Sequence, residues 1–105
     1  MDSDYCTVRF HYCGRFAGLS DSSDVIYVDG VEDDLKLDPD KISLPFLEGI
    51  CQRGGFQNIK YMFYLKTGYT NLMEGMQIVE SDETARAMAN DMRQTDDLLH
   101  FYVDH

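Results

Sequence analysis

The sequence is poor in basic residues, with nine Lys and Arg against nineteen Asp and Glu and a formal net charge of −10. A domain that binds duplex nucleic acid needs a basic patch to displace counterions from the phosphates, and the sequence offers none. We therefore expect no direct contact with nucleic acid. The excess of acid favours instead solubility and a protein partner with a basic face. A self-complementary surface, in a homo- or hetero-oligomer, is the other partner that we consider.

Long apolar runs are also absent. No stretch approaches the roughly 18 apolar residues of a membrane-spanning helix, and the N-terminus lacks the basic-then-apolar pattern of a secretory signal. We expect neither a membrane contact nor secretion.

Cysteine is scarce and irregularly spaced. Cys6, Cys13 and Cys51 are odd in number. No two of them lie two to four residues apart, so they match neither a zinc site nor a disulfide framework. Reduced, partly buried thiols in a nuclear or cytoplasmic protein are the expectation.

The apolar residues suffice for a single domain over residues 1–105. They make up 44% of the 105 residues, which is the composition of a globular protein with one modest core. Alternation of apolar and polar residues predicts several strands. The strands lie at residues 5–12, 25–28, 59–65 and 98–104, with a weaker candidate at 31–37.

The alternation also predicts which side chains face the core. On the first strand, Arg9 and His11 should point outward. On the strand at 59–65, Phe63 should lie on the core side and Tyr64 on the outer side. On the last strand, Tyr102 should point outward.

Turn-forming residues separate these segments. Gly14 and Gly18 predict a break after the first strand, with a hairpin turn or a wide loop between them. Residues 21–24 are interpreted as a polar hinge, and Asp29-Gly30 as the turn that closes a hairpin.

Two helices are predicted. In the first, Ser43 is the N-cap, Pro45 lies in the first turn, and Gly54-Gly55 ends the helix by supplying positive φ. In the second, Ser81 is the N-cap, and acidic residues follow in the first turn, where negative charge is favoured. Its apolar stripe has the spacing i, i+3, i+4 and i+7: Ala85, Met88, Ala89 and Met92.

The resulting order is strand, strand, helix, strand, short strand, helix, strand. Two antiparallel strands, a helix across them and a late strand returning to the sheet form the α+β arrangement known as the ubiquitin-like β-grasp. We predict a mixed sheet of four to five strands packed by two helices.

No catalytic or metal-binding arrangement is apparent. His11, His100 and His105 have no carboxylate or cysteine at ligand spacing, so we expect no metal and no cofactor. The alternative is a small thiol-dependent enzyme or redox protein that uses Cys13 or Cys51. His11 shares a strand face with Cys13, but a third orienting group and a pocket would be needed. We therefore interpret the protein as a non-enzyme.

Charged residues are the candidate partner-binding residues. They form a basic set at the first strand and the turn after it, an acidic set in residues 29–34, and a second acidic set at the entrance of the second helix. These residues are Arg9 and Arg15, Asp33 and Asp34, and Glu80, Asp82 and Glu83. The alternative interpretation is a solvated acidic loop, ordinary surface charge and a helix cap.

Four short motifs, in this order, resemble those of a known family. They are Tyr27-Val28-Asp29-Gly30, Asp38-Pro39-Asp40-Lys41-Ile42-Ser43, Gly75-Met76-Gln77-Ile78-Val79-Glu80-Ser81-Asp82 and Tyr102-Val103-Asp104-His105. Together they are similar to the plant PB-one-like (Phox-and-Bem-one-like) domain. That domain is found at the N-terminus of Mutator-type transposases and of proteins domesticated from them.

The resemblance implies a ubiquitin-like β-grasp fold and a protein–protein interaction role, as an oligomerisation or adaptor domain. In the parent Phox-and-Bem family, a basic residue on the first strand of one copy docks head to tail on an acidic motif of another. Arg9 stands in the place of that basic residue. The second half of the acidic motif corresponds to Glu80, Asp82 and Glu83, whereas residues 66–71 replace its acidic first half.

Because that first half is missing, other surfaces are candidates for association. They are the aromatic residues Tyr64 and Tyr102, predicted on the outer face, and the acidic stretch at residues 29–34. The resemblance also implies a plant, transposase-derived protein of the nucleus, in which such a domain precedes others.

Overall fold

The computed structural model of the chain describes residues 5–18, 25–54, 59–95 and 98–105. Within these residues, strands β1 to β7 run in chain order as Cys6–Tyr12, Arg15–Gly18, Val25–Val28, Val31–Leu37, Tyr61–Leu65, Met76–Ile78 and Leu99–Asp104. The helices are α1 at Leu44–Arg53, the one-turn α2 at Leu72–Gly75, and α3 at Asp82–Gln94, with a 3₁₀ turn at Pro39–Lys41. The predicted hinge at 21–24 and the predicted helix end at Gly55 lie outside the described residues. None of the described helices is long and apolar enough to cross a membrane.

Five strands form one mixed sheet in the order β4-β1-β7-β5-β6. β7 runs parallel to β1 and antiparallel to β5, so the last strand of the chain lies in the centre of the sheet. The weak candidate at 31–37 is a full strand, β4, paired antiparallel with β1. β2 and β3 pair only with each other, as a separate hairpin. The predicted α+β, ubiquitin-like β-grasp fold is confirmed.

The hydrophobic core lies between one face of this sheet and helices α1 and α3. On the sheet, the fully buried side chains come from alternate positions of β1 and β7: Val8, Phe10, Leu99, Phe101 and Val103. The predicted stripe on α3 is buried against them. Phe10 and Phe101 are register partners with ring centroids 4.8 Å apart. Burying one such side chain contributes roughly 1.5–3 kcal/mol, so this face holds the sheet and both helices together.

Both long helices begin at the predicted serines. Ser43 Oγ accepts the backbone N–H of Phe46 at 3.2 Å. Ser81 Oγ accepts the N–H of Thr84 at 3.2 Å, and Thr84 Oγ1 accepts the N–H of Ser81 at 2.9 Å. This reciprocal capping satisfies amide groups that the first turn of a helix otherwise leaves unpaired.

Two predictions about turns are wrong. The segment between Gly14 and Gly18 is strand β2, because it pairs with β3 along its whole length. Asp29-Gly30 does not close a hairpin. It carries the chain from β3 in the small sheet to β4 in the large one, with Asp29 at φ 60°. The first helix does end at Gly54, as predicted, but Gly54 has φ −76°, which is ordinary helical backbone, so the positive φ predicted for it is wrong.

The β2–β3 hairpin covers part of the sheet face opposite the core, and this changes the predicted outer surface. Tyr102 is only 7% exposed, because Phe16 and Tyr27 pack against it with ring centroids 5.9 and 5.5 Å away. Tyr64 is 3% exposed and belongs to the core. The sides predicted for β5 are therefore wrong, since Phe63 lies on the hairpin side, against Phe16.

One hydroxyl group fastens the hairpin to the sheet. The Tyr27 hydroxyl donates to the carbonyl of Val103 at 2.8 Å. It also accepts the N–H of Gly14 at 2.9 Å. These two hydrogen bonds hold the small sheet over β7, the central strand of the large sheet.

Candidate interaction surface

Arg9 forms an ion pair within the domain. The register of β1 and β4 places it opposite Asp34. Its Nε donates to Oδ1 at 2.8 Å and its Nη2 donates to Oδ2 at 3.1 Å, which makes a bidentate pair. The hydrogen bond from Arg9 lowers the pKa of Asp34, and the same bond raises the pKa of Arg9. The two side chains are 35% and 45% exposed, so the pair is open to solvent.

Asp33 and Arg15 also have partners inside the domain. The Tyr12 hydroxyl donates to Asp33 Oδ2 at 2.5 Å. Arg15 lies 3.6 Å from Asp29, and both side chains are largely exposed, so that pair contributes little. The acidic residues from 32 to 34 lie on strand β4 and two of them bind side chains of β1, so they are not a solvated loop.

A histidine pair that the sequence patterns did not reveal lies near Arg9, on the same face of the sheet. His11 Nε2 and His100 Nδ1 are 2.9 Å apart, and the His11 ring stacks on Tyr102 with centroids 4.4 Å apart. Burial, followed by the proximity of His100, lowers the pKa of His11 from 6.5 to about 4, although Glu32 opposes the shift. His11 is thus neutral at pH 7, and its 3.4 Å contact with Glu32 is not an ion pair. The prediction that His11 points into solvent is wrong, since it is 9% exposed.

The acidic entrance, Glu80, Asp82 and Glu83, lies at the N-terminus of α3, and all three residues are exposed. Asp82 Oδ1 accepts the N–H of Leu44 at 3.1 Å, which ties the start of α3 to the start of α1. Among the described residues, no salt bridge engages Glu80 or Glu83. Negative charge at this end of a helix is favoured by the helix dipole, so the acids stabilise α3 while remaining accessible.

The basic and acidic sets lie toward different ends of the sheet. Arg9 is on β1, the second strand in the order, whereas Glu80 lies two residues after the end of β6, the last strand in the order. With neighbouring strands about 4.8 Å apart, three strand spacings separate them by roughly 14 Å. Arg9 therefore pairs with Asp34 inside the domain and not with the acidic entrance.

The thiol alternative is weakened by the surroundings of the cysteines. Cys51 is 0% exposed, and burial raises its pKa to about 11, so it is a protonated, unreactive thiol at neutral pH. Cys13 is exposed. His11, the base that the sequence suggested for Cys13, instead contacts His100 and Glu32 through its two ring nitrogens.

Two grooves lined by the described residues contain no assembled reactive centre. A groove of about 600 Å³ beneath the β2–β3 hairpin contains His11 and His100 but no cysteine. A second groove, of about 480 Å³, lies between β4 and α1. In the part of the chain that the structure describes, no three His, Cys, Asp or Glu residues are grouped so as to hold a metal ion.

Comparison with known proteins gives one family match. The family model described as the PB1-like domain matches residues 1–105. No curated protein matches the chain, and no solved structure does. The match includes all four of the motifs that the sequence shares with this type of domain.

Proposed function

This chain belongs to the PB1-like domain family, and on that premise we propose that it works as an oligomerisation or adaptor domain that binds a basic or self-complementary surface. PB1-like domains generally mediate protein–protein interaction. The observation that carries the proposal is the acidic entrance, where three exposed acidic residues stand together at a helix N-terminus. They can meet a basic partner without any rearrangement of the domain.

The role of Arg9 differs from that of the acidic entrance. To reach a carboxylate of another molecule, Arg9 has to exchange its bidentate contact with Asp34 for a new one. The exchange replaces one ion pair by another, so its main effect is on orientation and association rate. Because an exposed pair is worth about 0–1 kcal/mol, Glu80, Asp82 and Glu83 must act together.

Light scattering on the purified domain tests the charge mechanism. We expect its self-association, or its complex with a basic partner, to weaken between about 0.05 and 0.5 M salt. The variant Asp82→Asn/Glu83→Gln removes two charges, and Asn at 82 still accepts the N–H of Leu44. Glu74→Gln removes one exposed charge from α2 and is the control for the loss of acidic charge outside the acidic entrance.

The same variants serve in a pull-down from plant nuclear extract. We expect the domain and Glu74→Gln to retain a protein that Asp82→Asn/Glu83→Gln loses. Arg9→Ala should slow association more than it weakens the final complex. If neither self-association nor any retained protein depends on salt or on Asp82 and Glu83, the charge mechanism is wrong.

We further propose that the domain belongs to a transposase-derived plant protein that acts in the nucleus or cytoplasm. The resemblance of the four motifs supports this origin, and the three free thiols suit a reducing compartment. A fluorescent fusion of the full-length protein in plant cells tests the location. Fluorescence confined to the secretory pathway would contradict it.

A further inference from the structure

The outer edge of β4 and the groove beside it form a second surface that the acidic entrance does not include. We propose that β4 accepts an extended segment of a protein partner as an added strand, and that this segment alternates apolar and basic side chains. The inference rests on the proposed interaction function and names a different surface and partner chemistry for it. The surface is the β4 edge, defined here as residues 31–37 with the adjoining face of α1.

Among the residues that the structure describes, one side of the β4 backbone has no strand beside it. All seven of its residues pair with β1, from Val31 opposite Tyr12 to Leu37 opposite Cys6. β4 is the terminal strand of the five-stranded sheet, and the described residues supply no strand on its other side. A seven-residue edge with free N–H and C=O groups is a template for strand addition. The opposite edge, β6, is only three residues long.

An apolar groove runs beside this edge. Its volume is about 480 Å³, and β4 and α1 form its two walls. The apolar residues that line the groove are Phe10, Leu35, Leu37, Phe46 and Ile50, and the charged residues at its rim are Asp33, Asp34, Lys36 and Arg53. Leu35 is 39% exposed, so an added strand can bury the part of its side chain that now faces solvent. An added strand would place every second side chain in this groove.

The alternation along β4 specifies the partner's side chains. Phe10 faces the core and is the register partner of Asp33, so Asp33, Leu35 and Leu37 share the groove side. Apolar side chains on the added strand fit against Leu35 and Leu37. The other face of β4 carries Glu32, Asp34 and Lys36. Asp34 already pairs with Arg9, so a basic side chain of the added strand pairs chiefly with Glu32, and opposite-charge pairs across strands stabilise a sheet.

The net charge of the chain indicates whether a different protein or a second copy of this chain occupies the β4 edge. Each copy has a net charge of −10, and β4 itself carries three acids and one lysine. Two copies therefore repel at long range, whereas a basic strand is attracted. The occupant we infer is consequently a basic, apolar-alternating segment of a different protein.

Titration of the isotope-labelled domain with the blocked peptide acetyl-Lys-Val-Lys-Ile-Lys-Val-Lys-amide tests the proposal by NMR. We expect shift changes confined to β4 and α1. Amides of alternate β4 residues, those not bonded to β1, should gain protection from hydrogen exchange. A peptide of the same composition with all lysines in one block has the same charge without the alternation, and it should bind at least about tenfold more weakly.

A matched pair of variants locates the site. Leu35→Lys puts a positive charge in the groove and should weaken peptide binding about tenfold or more. Ile26→Lys introduces the same residue at an equally exposed position of β3, 40% against 39%, and should leave binding unchanged. Since the two peptides are compared on the unaltered domain, a poorly folded variant does not remove the test.

Several outcomes would overturn the inference. Equal binding of the two peptides, or shift changes centred on Glu80, Asp82 and Glu83, would mean simple charge attraction. Concentration-dependent broadening of β4 signals without peptide would identify a second copy as the occupant. Loss of peptide binding together with salt-dependent association through the acidic entrance would refute this inference alone and leave the proposed function standing.

Discussion

The histidine pair makes the stability of the domain sensitive to mild acid. His11 is buried against Tyr102 and shares a 2.9 Å contact with His100, which requires one ring to donate and the other to accept. In the unfolded chain, His11 takes up a proton as the pH falls through about 6.5, whereas in the folded domain it does so only near pH 4. Between these values the unfolded state binds more protons, so stability falls as the pH falls.

The size of the effect follows from the pKa shift. One pKa unit corresponds to about 1.4 kcal/mol, so the fall from 6.5 to about 4 makes about 3 kcal/mol of the folding free energy dependent on pH. About 2 kcal/mol of this should be lost by about pH 5. For a domain of this size that is a large fraction of the total stability.

The variant His11→Phe isolates this contribution, because Phe keeps an aromatic ring beside Tyr102 but does not titrate. Free energies of unfolding should be measured for both proteins by urea denaturation at several values between pH 7.5 and 4. Acid also protonates carboxylates, but it does so in both proteins, so this effect cancels when their stabilities are compared. We expect the stability of the unaltered domain to fall relative to that of the variant by about 3 kcal/mol. Curves that stay parallel over this range would refute the reasoning.

Three further predictions concern capping, close packing and thiols. Ser81→Ala should lower the free energy of unfolding, measured in urea, by about 1 kcal/mol. Ser81→Asp should lower it much less, because Asp also caps a helix. Equal decreases in the two variants would argue against the cap. Gly75→Ala should destabilise by about 1–3 kcal/mol because the new Cβ meets a tyrosine side chain. A Cβ added at Gly18 meets nothing within 4 Å. An equally large decrease in stability for Gly18→Ala would therefore contradict the packing argument. A thiol reagent followed by mass spectrometry should label Cys13 in the folded domain but Cys51 only on unfolding; rapid labelling of Cys51 would revive the enzyme alternative.

Local patterns were sufficient to predict most of the elements. The cap at Ser81 and the stripe from Ala85 to Met92 predicted α3, because both signals lie within about four turns of one helix. The alternation in β1 and β7 predicted which side of these strands faces the core, but it did not predict that His11 and Tyr102 on the other side are also buried. The motifs near Tyr27 and Tyr102 predicted the family.

The sides of β5 were predicted wrongly because both of its faces are apolar. Phe63 and Leu65 lie on one side and Met62 and Tyr64 on the other, so alternation carries no information there. The pairing with β7 decides the matter, because Tyr64 lies opposite Phe101, which is in the core.

The contacts of the candidate interaction surface were harder to predict than the fold because they join distant segments. The Arg9–Asp34 pair depends on the register between β1 and β4, and the pairing of His11 with His100 depends on the register between β1 and β7. The covering of Tyr102 needs the β2–β3 hairpin folded over the sheet. None of these registers is encoded by a local pattern.

The central position of β7 has a consequence for synthesis on the ribosome. Before residues 99–104 have been translated, the nascent chain can form only the separate pairs β1–β4 and β5–β6 of the large sheet. Isolated two-stranded units are marginally stable in water. The register pair Val8 and Leu99 joins segments roughly ninety residues apart, and such distant contacts slow folding. Nascent chains stalled before β7 should therefore remain open to proteases, and resistance should arise in one late step, when the final strand leaves the exit tunnel.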